Sequence, residues 1–256
     1  KITAPTLQSS LRDIIVDNKM NEKCAGNIIG YISQMFQYAY QNEYVDQDIS
    51  AKIDKRLLLA MCIYVPPKSD TERILSNTEM TLLHKATLKH EQAYPFYMPD
   101  YAIELAELTG MRVGELSALH WSDIYDGDIH IDFSEHRIDY ADKKADYFVG
   151  EPKNGKHRVF PISNEIAELF DKIRQLNLSS NEDFIFVKKD GTRYTAHDIS
   201  CAIVRRSSEA GIKKTSIHCL RRTVSSSLNT LLPQKEVASL LGHSERVNEQ
   251  HYNFSR

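Results

Sequence analysis

Apolar residues recur at three- and four-residue spacing through most of the first 62 positions. Leu7, Leu11, Ile14 and Ile15 line one face of TLQSSLRDIIVDNKM. Ile28, Ile32, Met35, Phe36 and Ala39 repeat the stripe in NIIGYISQMFQYAYQNEYV, so both segments predict amphipathic helices. The run KRLLLAMCIYV is apolar without a clear period. Pro66 and Pro67 cannot continue a helix and polar residues follow, which predicts an interdomain linker over residues 65–75. Asn77 or Thr78 can cap the next helix, expected over about 78–89.

Beyond this point the period changes repeatedly. PDYAIELAELTG reads as a helix stopped by Gly110, and RVGELSALHW restarts as a short helix. DIHIDF and HRIDY alternate apolar and polar residues, as strands do. YFVGEPKNGKHRVFPI reads as two strands joined in a hairpin at Asn154-Gly155. Ser163 caps a helix through NEIAELFDKI, and DFIFV reads as a short strand. AHDISCAIVRRSSEAG, SIHCLRRTVSSSLNTL, PQKEVASLL and NEQHYNF read as helices, with Pro233 suited to a first turn. The pattern predicts a mainly α protein with a small antiparallel sheet (α+β). It divides into a helical domain at 1–64, the linker, and a mixed domain at 76–256. No internal repeat or low-complexity segment interrupts it.

Composition narrows the partners. The 256 residues are 41% hydrophobic, as in globular proteins, and no apolar run reaches membrane-spanning length. No secretory signal is visible. Cys24, Cys62, Cys201 and Cys219 are scattered and form no CxxC pair, so free thiols and no zinc site are expected. The net charge of −3 argues against a simple polycation. Basic residues nevertheless cluster at Lys143-Lys144, Lys153/Lys156/Arg158, Arg205-Arg206, Lys213-Lys214 and Arg221-Arg222. Each alone reads as solvated surface, whereas several on one face would make a phosphate track.

One ordered set of side chains suggests chemistry: Arg112, His218, Arg221, His243 and Tyr252. Cleaving a phosphodiester with a protein nucleophile requires charge stabilisation, a proton route and aligned groups. Two guanidinium groups can each bind two phosphate oxygens. His218 and Arg221 are three apart on a predicted helix and would share a face. Glu115, three after Arg112, could hold that guanidinium or its helix. His243 could donate to a phosphate oxygen, and Lys153 could protonate a departing 5′ oxygen. Tyr252 would be the nucleophile; its phenol, with an ordinary pKa of about 10, needs a base or positive surroundings. Taken singly, each residue has a plain structural explanation; the ordered set does not.

These segments resemble the tyrosine recombinase (phage and conjugative-transposon integrase) family. TGMRVGELSALHWSDI resembles its first arginine box, SIHCLRRTVSSSL its His-x-x-Arg box, and LLGHSERVNEQHY its Leu-Gly-His…Tyr box. EPKNGKHRVFPI resembles the hairpin carrying the catalytic lysine, and the likeness spans about 73–256 in family order. Residues 1–64 resemble the helical core-binding domain more loosely. Cys219 and Arg222 depart from the commonest residues beside the second box, and neither removes a catalytic group. Lys156, close to Lys153, leaves the choice of lysine open.

The resemblance implies a site-specific recombinase or integrase acting on double-stranded DNA through a 3′-phosphotyrosyl intermediate at Tyr252. Arg112, Arg221 and His243 would contact the phosphate, His218 assist proton transfer, Lys153 act as general acid and Glu115 support the site. It implies no cofactor and no metal, and a tetramer on synapsed DNA with accessory DNA-bending or excision factors. It also implies a cytoplasmic, nucleoid-associated bacterial setting. The extra strands in HRIDYADKKADYFVGEP resemble conjugative-transposon integrases, so an arm-binding domain before Lys1 is expected to have been removed. Only Asn253–Arg256 follow the tyrosine, which implies a truncated tail or another assembly contact. A type IB topoisomerase-like activity and a non-catalytic DNA-binding scaffold are the alternatives. A metal nuclease is disfavoured because no carboxylate cluster is evident.

Overall fold

The computed structural model describes residues 2–66, 69–140, 142–152, 155 and 157–242. The chain divides into two compact units, Lys1–Lys68 and Ser69–Arg256.

In the first unit, α1 (Ala4–Asp17) begins behind Thr3, whose hydroxyl accepts the Thr6 N–H, and α2 (Glu22–Gln41) is capped by Asn21. A 3-10 turn (Ile49–Lys52) and α3 (Lys55–Leu59) follow, each behind an aspartate cap. Leu11, Ile15, Ala25, Ile29, Ile53 and Leu58 form the core. The expected stripes are only partly buried: Ile14 and Met35 are exposed, as are Tyr31 and Tyr38 on α2.

The second unit starts earlier than the pattern suggests. Within the expected linker, α4 (Asp70–Arg73) forms one helical turn. Leu75 is buried in this unit's core, and its N–H donates to Thr223 Oγ1 at 2.9 Å. The cap of α5 (Asn77–Ala93) is Ser76, one residue before the expected candidates. It forms a reciprocal capping box with Glu79. α6 (Pro99–Thr109) is buried on nearly every side and stops at Gly110, whose φ of 64° suits glycine. α7 (Val113–Ser117) comes next, then the strands.

β1 (Ile124–Tyr125), β2 (Asp128–Ile131) and β5 (Arg158–Pro161) make one antiparallel sheet in the order β1-β2-β5; β3 (Ser134–Ile138) and β4 (Asp146–Gly150) make another. The expected hairpin at Asn154-Gly155 is therefore corrected. β4 pairs with β3 and β5 with β2, so the two strands flanking the Asn-Gly pair belong to different sheets. Gly155 does turn, with φ 59° and its N–H on the Pro152 carbonyl at 2.8 Å. DFIFV is not a regular strand either. Phe184 and Val187 make isolated bridges to His120 and Arg193, and Phe184–Val187 are buried.

α8 (Asn164–Gln175), α9 (Ala196–Glu209), α10 (Ile217–Leu228) and α11 (Gln234–Leu241) complete the described elements. Pro233 caps α11 rather than opening its first turn. The expected helix over NEQHYNF lies outside the described residues. α5, α6 and α8 enclose a cluster of carboxylates. Lys172 Nζ bonds Glu91 at 2.6 and 2.7 Å and lies 3.7 Å from Glu104, while His84 Nδ1 meets Glu107 at 2.8 Å. Burial, with the adjoining Glu91 carboxylate, pushes the Glu104 carboxyl up to about 8. Burial also raises Glu107, against the opposing pull of His84.

Candidate phosphate-binding site

Arg112 stands where α6 has ended at Gly110 and α7 has yet to begin. Its backbone N–H donates to Glu115 Oε2 at 2.7 Å and its Nη1 to Glu115 Oε1 at 2.8 Å. A glutamate three residues into a helix thus fastens both the main chain and the guanidinium of the residue before it. The Arg112 side chain is 40% exposed and its Nη2 donates to the Gly242 carbonyl at 3.2 Å.

Glu115 itself is 1% exposed and has a second partner, Arg158 of β5. Arg158 Nη1 and Nη2 donate to Oε1 and Oε2 at 2.7 and 2.6 Å, a parallel two-bond pair. Burial alone would raise the Glu115 carboxyl. The Arg158 bonds, with the charges of Arg158, Arg221 and Arg112, outweigh it and hold the group at about 2.

Arg221 is 1% exposed on α10, which Ser216 caps through the Cys219 N–H at 3.2 Å. Its Nη1 donates to the Gly110 carbonyl at 2.8 Å and its Nη2 to the Leu241 carbonyl. His218, one turn earlier, is exposed at the start of the same helix, so the shared face turns from solvent to interior between them.

The three arginines meet at the C-terminal end of α11. Arg158 Nε donates to the Leu240 carbonyl at 2.9 Å, Arg221 to Leu241 and Arg112 to Gly242. The last carbonyls of a helix lack intrahelical partners and carry the negative end of its dipole, which cations stabilise. Gly242 terminates α11 with φ 67°, and a Cβ there would lie 3.0 Å from Arg158 Cδ. The glycine of LLGH is thus favoured both by the left-handed turn and by the closely packed arginine.

Arg112 and Glu115 are therefore joined by hydrogen bonds, Arg221 reaches the neighbouring Leu241 carbonyl, and His218 is exposed on the same helix as Arg221. Lys153, His243 and Tyr252 lie outside the described residues. Arg158 was expected as part of a solvated basic cluster and is instead buried; Arg206 likewise is buried, 2.9 Å from Glu209. The signal for Arg158 was present in HRVFPI. Alternation places Arg158 on the same face as buried Phe160, and an inward arginine demands a carboxylate. Among the described residues no group of three His, Cys, Asp or Glu side chains is arranged to hold a metal ion. No helix among them is long and apolar enough to cross a membrane.

Fold and site together define a protein that gathers three guanidinium groups around one buried carboxylate and the last carbonyls of α11, with Arg112 the part-exposed member. Residues 70–256 match the phage integrase family, and the chain belongs to that family, the tyrosine recombinases. It is 26% identical over 255 residues to Tyrosine recombinase XerC of Corynebacterium glutamicum, covering 97% of this chain and 72% of that protein. It is 23% identical over 192 residues to the Integrase of Escherichia phage HK022, covering 72% of this chain but only 47% of that protein. A Tn1549 transposon integrase in complex with circular intermediate DNA superposes over 100% of this chain and 82% of its own, with TM-score 0.71 and 16% identity. A lambda integrase tetramer bound to a Holliday junction superposes over 100% and 67%, with TM-score 0.69 and 19% identity. The recombinase reading is thereby supported over the topoisomerase-like one.

Proposed function

We propose that this chain breaks and rejoins double-stranded DNA at specific sites by transesterification, integrating or excising a mobile element. The Tyr252 phenolic oxygen attacks the scissile phosphorus, a bond forms to give a 3′-phosphotyrosyl link, and the P–O5′ bond breaks. The phenol loses its proton, with His218 assisting, and the departing 5′ oxygen gains one from Lys153. Arg112, Arg221 and His243 neutralise charge on the non-bridging oxygens as it develops, and Glu115 holds Arg112. Attack by a 5′ hydroxyl from a second DNA reverses the step, so the phosphodiester's energy is retained and no nucleotide cofactor is consumed. The observation that carries this reading is the convergence of Arg112 and Arg221 on adjacent carbonyls, Gly242 and Leu241, immediately before His243.

Residues 1–64 would serve as the DNA-binding domain, and two synapsed sites would assemble a tetramer, as the lambda integrase tetramer bound to a Holliday junction supports. Accessory bending or excision factors and a cytoplasmic, nucleoid-associated setting follow from the same reading. The test is covalent trapping on a nicked attachment-site duplex. Wild-type protein should form an adduct and Tyr252→Phe none; an adduct that persists in Tyr252→Phe would overturn the assignment.

A further inference from the structure

Arg158 has no place in the chemistry above, yet all three of its guanidinium nitrogens donate hydrogen bonds at the site. It comes from β5, whereas Arg112 precedes α7 and Arg221 sits on α10. It spans both oxygens of Glu115 and also reaches the Leu240 carbonyl, contacts 43 and 82 residues away along the chain. Its side chain is 6% exposed, so it does not face solvent where DNA would lie. Glu115 in turn grips the Arg112 guanidinium and main chain. An arginine that binds a carboxylate through two parallel bonds fixes its plane as well as its position, which a lysine cannot do.

We propose that Arg158 is a positioning residue for phosphate binding: it fixes the plane of Glu115, which aims Arg112, and ties that assembly to the last turn of α11. The proposal rests on the phosphoryl-transfer reading above. Arg158 also lies five positions after Lys153, so the strand it anchors leads directly from the segment carrying the proposed general acid. Its contribution is geometric. It would leave DNA affinity nearly unchanged and act on the rate of the chemical step, because a misplaced group is costly only where charge develops.

The experiment uses the full chain, a nicked attachment-site duplex, and three measurements: adduct formation at saturating DNA, DNA affinity and the melting temperature. Arg158→Lys keeps the charge while losing the paired bonds, and its melting temperature reports the folded fraction. Its affinity should stay within about threefold while cleavage falls by roughly 100-fold, the scale of an ångström-sized misplacement. In a Glu115→Gln background the same substitution should cost less than about threefold further, because the two act in series. A merely structural role would lower both readouts in step with the folded fraction and would give losses that multiply. Wild-type cleavage by Arg158→Lys, parallel loss of affinity and cleavage, or multiplying losses would each overturn the proposal. The wild-type control separates the two claims: absence of any adduct there refutes the strand-transfer reading, not the role of Arg158.

Discussion

The buried charged clusters around Glu115 and around Lys172, both in the second unit, treat the same residue type in opposite ways. Around Glu115 three arginines surround one carboxylate, whose carboxyl is held at about 2. Around Lys172 three carboxylates crowd one ammonium and one histidine, and the Glu104 carboxyl is pushed up to about 8. Burial opposes ionisation at both. The difference is that Glu115 has both oxygens filled by a guanidinium fork, whereas Glu104 shares its lysine at 3.7 Å with a better-placed Glu91. Cation excess with saturated geometry makes a fixed charge; anion excess makes a proton acceptor.

The comparison can be broken most forcefully at Glu115. Glu115→Ala leaves buried guanidinium groups without their counter-ion and should cost about 3–5 kcal/mol in chemical denaturation. A loss below about 1 kcal/mol would mean that the cluster is no more than a surface pair. Next, Gly242→Ala forces a left-handed alanine against Arg158 and should cost roughly 1–2 kcal/mol. It should leave the pH response of the Lys172 cluster as in wild type, which thermal melts across a pH series would check.

That pH response has a definite sign. The folded pKa of Glu104 lies above its ordinary 4.5, so its stabilisation is complete below about 4.5 and is lost as pH rises through about 8. Glu115 is the reverse: its stabilisation is present above 4.5 and is lost as pH falls through about 2. Glu104→Gln should therefore gain stability over wild type between about pH 5 and pH 9, read as a widening gap in melting temperature. A gap that is constant or narrows contradicts the assignment. The smallest effect is expected from His84→Ala: His84 is half-exposed, and buried Glu107, already raised by burial, can take up a proton in its absence, so the cost in chemical denaturation should be no more than ~1 kcal/mol.

The helices of the second unit were legible because a buried stripe recurs locally: Ile166, Leu169, Phe170 and Ile173 on α8 are all buried. The Asn154-Gly155 hairpin was misread because turn preference is local, whereas strand pairing is settled by partners elsewhere, here β2 and β3. Of the expected site, Arg112, Glu115 and Arg221 fall close together, while Lys153, His243 and Tyr252 lie outside the described residues. Its connecting member was legible only as an inward-facing position in HRVFPI, without its partners. Arg158 looked like one of several surface cations, and its partners are 43 and 82 residues distant. The capping of α11 by three arginines is a tertiary arrangement that no local pattern encodes.

The central claim is that the arginine cluster serves a transition state and does more than hold DNA. The direct measurement is Arg221→Lys, which keeps the charge but loses the fork that serves Gly110 and Leu241. DNA affinity and single-turnover cleavage are measured on the same nicked duplex. The account predicts affinity within about threefold of wild type and cleavage reduced by on the order of 100-fold or more. Equal losses in both, or cleavage at the wild-type rate, would contradict it.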